Sequence, residues 1–196
     1  MRKKEILVII AHPDDETIWM GGTLLRTKFK KTIICLCRKK DKDRNPKFKK
    51  ACKILNAKGH ISDLDDCEKG HYEKISSEDI IKRILKIIKN KDYYHIFTHG
   101  KNGEYFHIRH REIHDAIIEM LKKRLLSAKK VFFFAYSKRK NNFQEYAIYK
   151  SNADKLIKLN HNELFMKKHL IQDIYGYLKG GFEERSSGRI ESFNKF

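Results

Sequence analysis

An α/β fold of the Rossmann-like, three-layer α/β/α type with a mainly parallel sheet is what this 196-residue chain predicts. Two observations carry the prediction. Short apolar, β-rich runs alternate with amphipathic segments of helical period, the order that builds βαβ units. The runs end in polar or glycine-containing turns, and right-handed crossovers between parallel strands then place helices on both faces. No linker, internal repeat or low-complexity tract interrupts the pattern, so residues 1–196 read as one domain.

The elements follow in order. Strands are expected at 5–11, 32–37, 93–99 and 130–136, with a shorter one at 60–64. Helices are expected between them. The segment 16–29 contains Gly21-Gly22, which points to close packing on the sheet or a ligand. The segment 46–57 has Pro46 in its first turn and Phe48, Ala51, Cys52 and Leu55 at helical spacing. The segment 77–89 opens Ser-Glu-Asp and repeats Ile80, Ile81, Ile84, Leu85, Ile87 and Ile88. The segment 109–126 repeats Ile113, Ile117, Met120 and Leu121, and 160–178 is the last helix. Residues 38–50 read as a basic loop and helix start, 143–150 as a loop, and Gly180-Gly181 opens a polar tail.

Composition narrows the function classes. The chain is 40% hydrophobic and 11% aromatic, so it is not a disordered polymer. No apolar run reaches the roughly 18–20 residues of a membrane span. The stretch from Met1 leads into a run too short for a signal peptide, and a cytoplasmic address is the expectation. Cys35, Cys37, Cys52 and Cys67 read as free buried or half-buried thiols, with the first two on one face of a strand. The formal charge of +19, from 44 Lys and Arg against 25 Asp and Glu, invites a polyanion partner. Lys is spread over the whole chain and no nucleic-acid motif is present, so compositional bias outranks nucleic-acid binding.

The chemistry concentrates in two segments. The first strand runs into Ala11-His12-Pro13-Asp14-Asp15-Glu16, and the strand at 93–99 runs through His99-Gly100 into Tyr105, His107, His110 and His114. In a doubly wound sheet the carboxyl ends of parallel strands share one edge, where ligands bind. Imidazoles and carboxylates from two such loops suit a zinc ion held by three protein ligands, with a further carboxylate as general base. Each segment alone has a plainer reading. His-x-x-His occurs on solvated helix faces, where His114 belongs unless it lies beneath the site, and acids at a helix start favour the dipole, which is the reading for Glu16. The conjunction of the two is the signal. A dinucleotide role is disfavoured, because no Gly-x-Gly-x-x-Gly turn follows the first strand.

Residues 11–17 with Gly21-Gly22-Thr23-Leu24, and Thr98-His99-Gly100, Gly103-Glu104-Tyr105 and His107-x-x-His110, resemble the two motifs of the PIG-L/LmbE-like N-deacetylases. Glu191-Ser192-Phe193 resembles a Glu-x-Phe near the family's C-terminus. The resemblance implies the LmbE-like fold and hydrolysis of an N-acetylglucosamine-type acetamide in a larger conjugate. It implies one Zn²⁺ per chain on His12, Asp15 and His110, Asp14 as general base, and His107 and Tyr105 as stabilisers of the tetrahedral intermediate. Arg44, Asp66 and Arg109 are the substrate-binding candidates, with Asp65 as an alternative to Asp66. The expected partner is a small N-acetylated sugar conjugate, with a phosphorylated or nucleotide-linked one suiting the charge, and an oligomer is compatible. One departure stands out. The family reads His-Pro-Asp-His where this chain has His107-Ile108-Arg109-His110, so the acid that supports the first His is replaced by a cation. A non-catalytic sugar or phosphosugar binder is therefore the alternative, with a basic nucleic-acid-binding protein behind it.

Overall fold

The computed structural model describes residues 4–66, 73–140 and 145–196. The chain runs β1 (Glu5–Ile10), α1 (Asp15–Arg26), β2 (Lys30–Cys37), α2 (Arg44–Ile54), β3 (Lys58–Leu64), α3 (Ser77–Ile87) and β4 (Asp92–Thr98). A helical turn α4 (Gly103–Phe106) leads into α5 (Ile108–Lys122), then β5 (Ser127–Phe134), β6 (Tyr136–Lys140), β7 (Glu145–Tyr149) and β8 (Lys155–Lys158). The last elements are α6 (His161–His169), a π-helical turn (Leu170–Ile174), α7 (Phe182–Ser186) and β9 (Ile190–Lys195).

Seven strands form one sheet in the order β3-β2-β1-β4-β5-β9-β8. The first five are mutually parallel, whereas β9 lies antiparallel to both β5 and β8. Alternation along the central strands explains the layers. Ile6, Val8 and Ile10 pack with Trp19, Phe48 and Leu170, while Leu7 and Ile9 pack with Ile80, Ile84, Ile113 and Met120. Both faces of β1 are thus covered by helices, which is why it reads as an unbroken apolar run. Ser76, one residue before the expected Ser-Glu-Asp start, caps α3 by accepting the Asp79 amide at 3.1 Å.

The expected mainly parallel α/β fold is the observed one, with four differences. First, β6, β7, β8 and β9 were not anticipated. They are short, β6 and β8 are rich in Lys, and the β6–β7 hairpin falls partly where a loop was expected. Second, the helix expected at 160–178 breaks after its π turn, where Gly176 at φ 82° ends it and Tyr177 N–H returns to Ile171 O. Third, Cys35 and Cys37 face opposite cores, because a register shift in the β2–β3 ladder separates them. They are free and buried, as is Cys52, while Cys67 lies outside the described residues. Fourth, Gly22 packs tightly on the Leu159 side chain, into which a Cβ would project at 2.3 Å, while its amide is held by Glu191 of β9.

Candidate functional site

The chain leaves β1 for β2 and β3 on one side and returns to β4 on the other. The sheet order therefore reverses between β1 and β4, and a crevice opens at their carboxyl ends. The loop after β1 carries His12 to Glu16 and the loop after β4 carries His99 to His110. Asp14 is the N-cap of α1 with φ 124° and ψ −28°, a conformation few non-glycine residues adopt. Buried Glu16 holds it there by accepting the Asp14 amide at 3.2 Å, and its other oxygen accepts the hydroxyls of Thr17 and Tyr175. Glu16 thus clamps the loop from inside as well as opening the helix.

His12 Nδ1, Asp15 Oδ2 and His110 Nε2 form a triangle. The two imidazole nitrogens are 3.1 Å apart, and each is 3.4 Å from the carboxylate oxygen. A tetrahedral ion with bonds of about 2.0–2.1 Å separates its ligands by roughly 3.3–3.4 Å, so the three donors fit zinc. Each is aimed by a neighbour. His12 Nε2 meets Asp66 Oδ1 at 2.6 Å, and Asp15 Oδ1 accepts Trp19 Nε1–H at 2.8 Å. His110 Nδ1 meets Glu104 Oε2 at 2.6 Å. Carboxylates behind metal-binding histidines fix the ring and its tautomer.

Other His, Cys and Asp groupings are close but chemically poorer. His99 stacks on His110 at 3.8 Å, yet its Nε2 accepts the Ala11 amide and its Nδ1 faces Glu104, so neither nitrogen is open to an ion. Cys37 lies near His12 and Asp66, but burial pushes its thiol well up and away from the thiolate a metal needs.

The titratable groups respond to this environment. Burial lowers the pKa of His12, but the carboxylates of Asp15 and Asp66 outweigh it and raise the value to about 10. His110 is held down by burial. Asp14 is pushed up by burial and by Asp15, and Arg44 opposes the rise. Burial, with His110 and His12 nearby, drives His107 down to about 3, so it is a neutral imidazole. Tyr105 is pushed up, chiefly by burial, and keeps its proton.

Around these groups lies a cavity of about 440 Å³ lined by His12, Asp14, Asp15, Tyr105 and His107, with Arg38, Arg44 and Tyr177 among its other walls. Arg44 Nη1 reaches Asp14 Oδ2 at 3.2 Å, and the Tyr177 hydroxyl contacts both Asp14 and Arg44. His107 Nδ1 is buried and without a hydrogen-bond partner among the described residues.

The structure brings together His12, Asp14, Asp15, Arg44, Tyr105, His107 and His110. One substrate-binding expectation, Arg109, needs correction. Arg109 is fully buried and does not line the cavity: its guanidinium bonds Glu112 at 2.6 Å, the Asp65 carbonyl and carboxylate, and the Glu73 carbonyl. Asp65 is thereby committed to Arg109. Asp66 does line the cavity, where Oδ1 meets His12 Nε2 and Oδ2 accepts Arg38 Nε, each at 2.6 Å. His114 is buried beneath the site, with Nδ1 2.9 Å from the His99 carbonyl. Glu191 anchors α1 from β9, accepting the Gly22 and Thr23 amides and the buried Lys167 ammonium.

Sequence reasoning missed Glu104, Tyr177 and Arg38. Glu104 was legible as a carboxylate within the second motif that metal-binding histidines require. Tyr177 had no local signal, because it enters from a segment read as continuous helix.

The family model for PIG-L, GlcNAc-PI de-N-acetylase, matches residues 7–121, from β1 through α5. Among solved structures, the conserved protein TT1542 from Thermus thermophilus is similar, with a TM-score of 0.66 over 96% of this chain and 93% of that one. At 16% identity that likeness speaks for the fold alone. A pyrophosphate-dependent kinase of the ribokinase family, in a sulfate complex, aligns over 94% and 91% of the two chains at 8% identity, but its TM-score of 0.26 bears on neither fold nor function. No curated protein matches the chain.

Proposed function

The chain belongs to the PIG-L family, and from that premise we propose that it is a zinc-dependent N-deacetylase. Its substrate is an N-acetylglucosamine-type sugar in a larger conjugate, and its products are acetate and a free amine. Family membership implies deacetylase-type activity. The observation that carries the finer reading is the donor triangle of His12, Asp15 and His110, whose edges suit one tetrahedral ion.

A divalent cation held there would supply Lewis-acid polarisation of the acetyl carbonyl and acidify a water. The remaining chemistry falls to the chain. Asp14, its carboxyl raised by burial, accepts the proton of the attacking water as the new C–O bond forms. The neutral His107 and the protonated Tyr105 donate hydrogen bonds to the oxyanion that develops on the acetyl oxygen. As the C–N bond breaks, the proton held by Asp14 passes to the departing nitrogen. Arg38 and Arg44 line the cavity beside Asp14, Asp15, Asp66, Glu145 and Glu183, and a phosphorylated or nucleotide-linked conjugate would set its anion against those two guanidinium groups. The reading takes residues 1–196 as one domain with a cytoplasmic address. Among the described residues no helix is long and apolar enough to cross a membrane.

A screen of zinc-loaded protein against free, nucleotide-linked, lipid-linked and oligomeric N-acetylglucosamine, read by amine and acetate release, tests this. Release from at least one class, abolished in Asp14→Asn with zinc retained, is the expected result. Near-wild-type turnover in that variant overturns the assignment of the base. Unsupported His107 favours a second reading, a sugar binder on the same scaffold. Saturable binding without hydrolysis would select it.

A further inference from the structure

A second cavity of about 550 Å³ opens on the other side of α4. The same turn serves both cavities: Tyr105 and His107 face the first, Asn102 and Phe106 the second. The walls of the second carry three cations, Lys101, Arg111 and Lys150, and no carboxylate. Neither Lys101 nor Arg111 forms an ion pair among the described residues, and Lys150 Nζ is directed to Asn102 Oδ1 at 3.3 Å. Arg111 also borders a shallow acidic groove with Glu112 and Asp115, outside this cavity. Between the cations the wall is aromatic. Phe133 lies at its base and Phe106 stands 63% exposed over it, on a backbone held at φ 73°.

Three cations lining one cavity that holds no carboxylate favour a multiply charged anion, and exposed aromatic surface in a concave site favours an apolar body. An exposed phenylalanine on a left-handed backbone position costs free energy that folding alone does not explain. We propose that this cavity binds a phosphorylated small molecule, with the phosphoryl group among Lys101, Arg111 and Lys150 and an apolar or aromatic moiety against Phe106 and Phe133. The proposal does not depend on the deacetylase reading, since none of these residues touches the donor triangle.

Phenyl phosphate and inorganic phosphate are suitable probes, titrated into zinc-loaded protein by calorimetry with amide shifts mapped by NMR. Phenyl phosphate is expected to bind once per chain, more tightly than inorganic phosphate, with shifts centred on Lys101, Asn102 and Arg111. The variant Lys101→Gln/Arg111→Gln/Lys150→Gln should weaken it about tenfold or more, each lost cation removing a charge-assisted bond. A variant with the same charge loss elsewhere, Lys86→Gln/Lys89→Gln/Lys122→Gln, should leave it unchanged. Phe106→Ser should erase the preference for phenyl phosphate while sparing inorganic phosphate. Equal weakening in both triple variants would assign the binding to diffuse charge and overturn the proposal. Loss of binding in Arg44→Gln, or shifts centred on His12, would place the probe in the first cavity and overturn it equally.

Discussion

Glu104 Oε2 lies 2.6 Å from His110 Nδ1, and through the same oxygen the carboxylate also holds His99 Nδ1 at 2.8 Å. Its other oxygen accepts the Gly100 amide at 2.7 Å. One buried carboxylate therefore ties the loop after β4 to the His110 ring of the donor triangle. Its own backbone at φ 56° is strained to do so. Glu104→Gln keeps the shape but gives up the charge behind His110. Zinc affinity should fall roughly 10–100-fold, as for other carboxylates behind ligand histidines. Competition with a chromophoric chelator measures it, and wild-type affinity in the variant would show that Glu104 only shapes the loop.

Zinc loading should also release a proton from His12. In the metal-free protein its pKa stands at about 10, because Asp15 and Asp66 outweigh the effect of burial. Zinc requires Nδ1 free, whereas the Nε2 proton stays with Asp66. His110, lowered by burial, is already neutral. About one proton per zinc should therefore leave near pH 8, and affinity should rise with pH until it levels near pH 10. Calorimetry in buffers of different ionisation enthalpy counts the proton. Asp66→Asn should lower the count.

Much of the site was legible because its chemistry is local. His12, Asp14 and Asp15 leave one strand, and His107 and His110 open one helix, so spacing alone groups each half. The parallel sheet was legible for a similar reason: strands buried on both faces read as unbroken apolar runs. The missing parts depend on contacts between distant segments. Tyr177 reaches Asp14 only because the chain turns at Gly176, and nothing near residue 177 signals that. Strands β6 to β9 are only four to six residues long, and β6 and β8 are rich in Lys, so their β character comes from pairing rather than from an apolar run. Cys35 and Cys37 part company through a bulge that depends on β3.

Glu16 sets a pH dependence of stability in the metal-free protein. Burial raises its pKa to about 7, against the opposing pull of donors on Thr17 and Tyr175. The folded value exceeds the unfolded 4.5, so the contribution is full below pH 4.5 and is lost as pH rises through 7. The difference is on the order of 3 kcal/mol. Denaturant midpoints in chelator should fall over that window, and Glu16→Gln should flatten the profile. A profile unchanged in the variant would assign the slope to another group.

Arg44 and Tyr177 both contact Asp14. Burial and Asp15 raise Asp14, and Arg44 holds it back. Arg44→Gln should let the carboxyl rise further, so the acid limb of kcat/KM moves to higher pH by about one unit. Arg44→Lys keeps the charge and should keep the limb near its original place. A raised KM with an unmoved limb would instead mark Arg44 as a substrate contact only.

Arg109 is expected to matter for stability and not for substrate. Its guanidinium is wholly buried, paired with the nearly buried Glu112 and tied to the Asp65 strand end and to the Glu73 carbonyl. Arg109→Ala removes one partner of a buried pair and leaves Glu112 uncompensated, which costs roughly 3–5 kcal/mol. Thermal unfolding should register that loss, while KM for any hydrolysed conjugate stays put at temperatures where the variant is folded. Restoring the family's acid by Arg109→Asp should be no remedy, because the new carboxylate would sit beside Glu112 and Asp65 with no cation among them. The paired exchange Arg109→Asp/Glu112→Arg returns a cation to the cluster and should recover part of the stability. If it also raises kcat, the acid at position 109 has reached His107 Nδ1, and the unsupported nitrogen is what slows turnover. A rise in KM on Arg109→Ala, without loss of stability, would return Arg109 to the substrate after all.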